Sequence, residues 1–216
     1  MGGGTARSAA EFIPAELSLE SLRRAARSCT GCDLYRNATQ TVFGEGRLGA
    51  RAVFVGEQPG DREDRVGRPF VGPAGRLLAR AIREAGLAAD EIYLTNAVKH
   101  FKWELRGGRR IHKRPLEGEI RACNPWLTAE VAVLRPEVIV CLGATAARAV
   151  FGRTVRVSEY RGRFSATPLS TATFVTLHPS ALLRAPGEEQ RRTEYEHFVS
   201  DLRQVQARLA GVDGEK

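Results

Sequence analysis

The sequence has no apolar run long enough to span a bilayer and no charged-then-apolar leader of the secretory kind. Ala6 stands where N-myristoylation after Met1-Gly2 needs Ser or Thr. These absences point to a cytoplasmic protein with no membrane partner. There is no internal repeat and no linker, so residues 11–210 read as a single domain. Residues 1–10 are expected to be disordered and 211–216 to form a C-terminal tail. No Gly-x-Gly-x-x-Gly follows the first apolar strand, which argues against a dinucleotide-binding protein. Cysteine is scarce: Cys29 and Cys32 form one close pair, and Cys123 and Cys141 stand alone. Without a second close pair the pattern is not that of a zinc ribbon, and the pair does not open a helix after a strand as a thioredoxin motif would.

Positive charge is in excess. The 216 residues hold 33 Lys and Arg against 25 Asp and Glu, a formal charge of +8. The basic residues cluster at Lys99, Lys102, Arg106, Arg109, Arg110, Lys113 and Arg114, with Phe101 and Trp103 between them and Glu104 as the one acid. Basic side chains interleaved with aromatics on a Gly-containing loop suit phosphate contact and base stacking, although a solvated charged loop has the same composition.

Four short apolar runs read as strands, at 53–55, 92–95, 138–142 and 173–177. Helical spacing covers 19–27 (with Ser18 as cap), 74–85, 119–134, 143–151 and 188–209. Residues 61–73 read as an irregular loop, and 153–172 have room for a small strand pair. Strands alternating with helices predict an α/β fold, a three-layer α/β/α sandwich around a central four-stranded parallel sheet. Open α/β sheets bind ligands at the carboxyl ends of their strands. There the chain places Glu57 and Gln58 after the first strand, Asn96 after the second and His178 after the fourth, with His112 in the basic loop. Those groups are expected to share one pocket. Read singly, each has a plainer alternative: Asn96 a turn former, His178 a helix cap, Phe70 a core aromatic and His112 an exposed loop residue. Four thiolates can hold an iron–sulfur cluster, while Cys123 and Cys141 suit small core positions equally well.

The motifs Gly56-Glu57-Gln58-Pro59-Gly60, Gly67-Arg68-Pro69-Phe70-Val71-Gly72, Leu94-Thr95-Asn96-Ala97-Val98-Lys99, Arg109-Arg110-Ile111-His112 and His178-Pro179-Ser180 resemble the uracil-DNA glycosylase superfamily. Within it they look like the iron–sulfur family 4 and its UdgX branch. The resemblance runs from Cys29 to the last helix, and the Arg-Arg-Ile-His loop with Gln58 is what points to UdgX. It implies a 4Fe-4S cluster, fastening rather than redox-catalytic, on Cys29, Cys32, Cys123 and Cys141. The partner it implies is uracil-containing DNA, preferably single-stranded, bound by a monomer.

The implied site has His112 as a nucleophile that attacks the sugar carbon and stays attached, with Glu57 orienting it and His178 donating to uracil O2. Asn96 reads the base edge, Phe70 stacks on it, and Gln58 completes the uracil-binding set. Lys99, Lys102, Arg109, Arg110, Lys113 and Arg184 form the DNA-binding set. Two other readings stay open: a turnover glycosylase in which Glu57 positions water, and a non-catalytic iron–sulfur protein that binds DNA.

Overall fold

In the computed structural model, which describes residues 7–211, the chain opens with a 3-10 turn, Ala9–Phe12. Ala9 is fully buried against the domain, so the disorder expected of residues 1–10 does not extend to it; residues 1–6 lie outside the described residues, as do 212–216 of the tail. The elements that follow are α1 (Leu19–Ala26), β1 (Ala52–Gly56), α2 (Asp61–Val66), α3 (Pro73–Glu84), β2 (Ile92–Asn96), β3 (Trp103–Arg106), β4 (Arg109–His112) and α4 (Glu117–Leu134). After them come β5 (Val138–Leu142), α5 (Ala144–Phe151), α6 (Val157–Tyr160), β6 (Phe164–Thr167), β7 (Ser170–Thr176), α7 (Pro179–Leu183) and α8 (Glu188–Leu209).

The main sheet has the order β2-β1-β5-β7-β6, with the first four strands parallel and β6 antiparallel to β7. The four parallel strands are the expected ones, and β6 is an addition from the region that read as a small strand pair. A sheet buried on both faces needs apolar residues at every strand position, not alternate ones. All five residues of β1 and of β5 are buried. Their side chains alternate between two cores. Val53, Val55, Ile139 and Cys141 pack with α1, α4 and α5, while Ala52, Phe54, Val138 and Val140 pack with α3 and α8. Three layers result. Burying side chains the size of Phe54, Phe174 and Leu142 completely stabilises the sandwich by about 1.5–3 kcal/mol each.

Two local features differ from the sequence reading. The stretch after β1 is a helix, α2, with Asp61, Glu63 and Asp64 in its first turn, where carboxylates favour the positive end of a helix. The basic loop is a β-hairpin: β3 and β4 pair antiparallel, Trp103 opposite His112, around Gly107 and Gly108. Both glycines have positive φ, 53° and 73°, as a two-residue hairpin turn requires.

The chain leaves β1 for β2 on one side and later returns to β5 on the other. Connections therefore diverge between β1 and β5, which makes their carboxyl ends the crevice of the sheet.

Candidate active site

A cavity of about 870 Å³ opens at that crevice. It is lined by Glu57 and Gln58 after β1, Phe70, Asn96 at the end of β2, His112 at the end of β4, Thr145 in α5 and His178 after β7. Three strand ends and the hairpin thus bring together the groups expected to meet.

Gly56 lets two of them approach. A Cβ there would collide with Asn96 Oδ1 and the ring tip of Phe70. Asn96 is nearly buried, and its carbonyl accepts from Lys99 Nζ at 2.8 Å. Among the described residues no protein group hydrogen-bonds the Asn96 side-chain amide, so its donor and acceptor are free to read a ligand. Phe70 holds φ at +55°, a conformation that costs a non-glycine residue about 1–3 kcal/mol and persists where surroundings impose it. The surroundings are visible: Gly72 N–H donates to buried Glu63 at 2.7 Å, and a Cβ on Gly75 would collide with Phe70 O.

His178 caps α7 as the plainer reading had it, and the cap fixes its chemistry. Ser180 N–H donates to Nδ1 at 3.1 Å. A main-chain N–H can only donate, so Nδ1 is bare and the ring proton sits on Nε2. Burial, with Arg184 and His112 nearby, pushes the His178 pKa down to about 4. A neutral imidazole therefore offers one N–H to the cavity.

His112 is half-exposed, with Nε2 3.4 Å from Glu57 Oε1 and its ring 6.1 Å from that of Phe101. Burial draws its pKa below the usual value; Glu57 opposes this, while Arg184 and Arg114 reinforce it. The ring is neutral near pH 7 and keeps a lone pair. On the other carboxylate oxygen, Glu57 Oε2 accepts a short hydrogen bond from the Thr145 hydroxyl and lies 3.8 Å from Arg114 Nε.

Two polar ties hold the hairpin, one to the end of β1 and one to α2. Gln58 donates to Lys102 O and Lys113 O at 3.2 and 3.0 Å, and its oxygen accepts from Lys102 N at 3.2 Å. Its side-chain amide is thus bonded to the hairpin base at the edge of the cavity that it helps to line. Arg110 bonds Asp61 at 2.5 Å and buried Asp64 at 2.7 Å, stacked 5.5 and 5.4 Å from the rings of Phe101 and Trp103. It holds the hairpin and is not free for phosphate.

The DNA-binding set divides likewise. Lys99 is a correction: its ammonium is fully buried, 2.6 Å from Glu130 Oε2 and 2.6 Å from Thr95 Oγ1, so it cannot reach a phosphate. Removing one partner of such a buried pair costs about 3–5 kcal/mol. Lys102 is half-buried and paired with Glu119 at 2.8 Å. Arg109, Lys113 and Arg184 are exposed, Arg184 on the cavity rim. Arg114, Thr145 and Asp61 also line the site and were not expected there. The signal for Thr145 was Gly143 after β5, a strand end like the other three.

The four cysteines differ in their surroundings. Cys29, Cys32 and Cys123 act electrostatically on one another; burial lifts the Cys32 thiol and pushes Cys123 up to about 12. Cys141 sits within β5 opposite Val55 and Val175, and burial alone raises its pKa. Trp126 Nε1–H points at Cys29 Sγ at 3.3 Å and Lys99 N–H at Cys123 Sγ at 3.2 Å, donors that suit cluster thiolates. His100 adds a nitrogen. The Thr41 hydroxyl gives its proton to Ala26 O at 2.8 Å and so accepts from His100 Nε2–H at 2.9 Å. That leaves Nδ1 bare, buried and without a partner, in a ring that burial keeps neutral with a pKa of about 4. Among the described residues no three His, Cys, Asp or Glu side chains are close enough for a single ion; a four-iron cluster spreads its ligands more widely. In donor type, three thiols and one nitrogen lone pair suit such a cluster, and Cys141 is fully buried within β5.

A family profile described as the uracil DNA glycosylase superfamily matches residues 43–203. The chain is 40% identical over 175 residues to the type-4 uracil-DNA glycosylase of Thermotoga maritima, covering 81% of this chain and 88% of that one. To the type-4 enzyme of Archaeoglobus fulgidus it is 34% identical over 195 residues, covering 87% and 92%. A type-5 uracil-DNA glycosylase of Pyrobaculum aerophilum is 29% identical over 155 residues, covering 63% and 64%. Among the described residues no helix is long and apolar enough to cross a membrane.

Proposed function

The chain belongs to the uracil DNA glycosylase superfamily, and we propose that it excises uracil from DNA and stays bound through His112 to the sugar it exposes, as in the UdgX branch. Breaking the glycosidic bond leaves a uracil anion and an electron-poor sugar carbon, so catalysis needs donors at the uracil oxygens and an electron pair facing the sugar. A flipped uracil enters the cavity and stacks on Phe70. Asn96 accepts from its N3–H and donates to O4, while His178 Nε2–H donates to O2 as charge builds there. The C1′–N1 bond breaks with its electron pair leaving on the base. The His112 Nε2 lone pair forms the new bond to C1′, and the resulting imidazolium rests against Glu57.

One observation carries this reading: a neutral histidine 3.4 Å from Glu57 faces a cavity whose other walls are Asn96 and His178. Arg109, Lys113, Arg114 and Arg184 form the exposed basic rim that receives a single DNA strand in the cytoplasm. Cys29, Cys32, Cys123 and His100 would hold the iron–sulfur cluster of the type-4 enzymes, which would fasten the segment before β1 to α4 and to the stretch after β2. A second reading, hydrolytic turnover with Glu57 positioning water, is favoured by the relatives' description as glycosylases. Peptide mapping after incubation with a uracil-containing strand separates the two. The proposal expects a sugar-phosphate mass on the peptide holding His112; unmodified protein beside an alkali-labile strand contradicts it.

A further inference from the structure

Glu57 has two carboxylate oxygens and two neighbours that divide them. Oε1 faces His112 Nε2 at 3.4 Å, and Oε2 accepts from the Thr145 hydroxyl. Thr145 is buried in the first turn of α5. The turn that delivers it is sharp: Gly143 caps the helix at φ 85°, a left-handed conformation that favours glycine. A Cβ on Gly143 would also stand 3.1 Å from His178 Cβ, so the turn that sets Thr145 also abuts the uracil-binding histidine. Among the described residues the other group near Oε2 is Arg114 at 3.8 Å, on an exposed side chain too distant for a hydrogen bond.

We infer that Thr145 is a positioning residue that turns the Glu57 carboxylate toward His112 and thereby sets how often the reaction ends in covalent capture and how often in hydrolysis. The inference rests on the proposed covalent route and goes beyond it. Once the C1′–N1 bond breaks and uracil takes the electron pair, two nucleophiles compete for C1′. The first is His112, whose Nε2 pair forms the bond without a proton leaving and whose positive charge Glu57 must face. The second is water, whose oxygen forms the bond while Glu57 accepts its proton. Pinned by Thr145, the carboxylate serves the imidazole. Released, it can rotate and offer an oxygen to water, and His112 loses the fixed charge opposite it.

Thr145→Val removes the hydroxyl at nearly constant volume, and Thr145→Ser retains it. Each variant is incubated with a labelled uracil-containing strand, and adduct, alkali-labile free strand and released uracil are quantified under single turnover. Retained visible absorption of the cluster and an unchanged circular dichroism spectrum select folded samples. The expected result for Thr145→Val is an adduct-to-free-product ratio lowered about tenfold or more, with uracil release largely kept; the effect is smaller than the about 10²–10³-fold of a donor that faces developing charge directly, because the hydroxyl acts through Glu57. Thr145→Ser should restore the ratio. An unchanged ratio in Thr145→Val overturns the inference, as does an equal fall in adduct and uracil release, which would mean a purely structural role. If the wild type itself gives free product and no adduct, it is the covalent reading that fails, and the inference falls with it; that outcome is visible before any variant is made.

Discussion

The two halves of the cavity are built differently. Asn96 and His178 stand at the ends of strands buried on both faces, so the fold that makes the core also fixes the groups proposed to read the base. His112 stands on a two-stranded hairpin that belongs to no core and is fastened by Gln58 and Arg110. Isolated hairpins of this kind are marginal in water. On the proposed function, the contrast makes grip on the base and capture of the sugar separable. One is as stable as the sheet, and the other depends on a few polar ties.

Asn96→Ala should break the contrast from the core side, with the largest effect. The free amide is the group placed to read the base edge, so uracil release and adduct should fall together by about 10²–10³-fold, the scale for losing one donor to developing charge. Single-turnover release of labelled uracil measures it. The cluster sharpens the comparison at the same level of the structure. On the proposed ligand set, His100→Ala should lose the visible absorption of the iron–sulfur cluster in the purified protein, whereas Cys141→Ser should keep it, with Cys141 serving as a buried residue of β5.

On the hairpin side, Arg110→Ala strands buried Asp64 without its guanidinium partner, at a cost of several kcal/mol locally. Adduct formation should drop about tenfold to a hundredfold while uracil release changes by a few-fold, as a quenched time course on a denaturing gel would reveal. The smallest effect is that of pH. Because the His112 pKa is drawn down, the lone pair persists below the ordinary histidine value near 6.5. The adduct rate should therefore be flat from alkaline pH to below that value and decline only on further acidification, as the ring takes up a proton. A rate already halved at pH 6.5 would contradict the lowered pKa.

The sheet was legible because its strands are continuous apolar runs, and the chemistry at their ends followed from where they stop. Glu57, Asn96 and His178 were found in that way. His112 was placed with them from the basic loop, not from a strand end, and the motif resemblance gave it the role of nucleophile. The hairpin itself had a signal in Gly107-Gly108 between β3 and β4, obscured by the charge around it. Lys99 was read as a surface cation because it begins a basic run, yet Glu130 lies buried in α4 to receive it. A buried ion pair leaves no trace in composition. Cys141 was grouped with the other cysteines through the resemblance, whereas the ligand set proposed here takes the bare nitrogen of His100, whose tautomer depends on the hydrogen bond that its Nε2–H donates to a hydroxyl 59 positions away.

The most direct test of separable grip and capture is His112→Ser, assayed for released uracil and for covalent product in the same reaction. The account predicts that the adduct disappears while uracil release stays within about tenfold of wild type and the free strand becomes alkali-labile. If uracil release falls in step with the adduct, the hairpin and the sheet ends act as one unit and the division drawn between them is wrong.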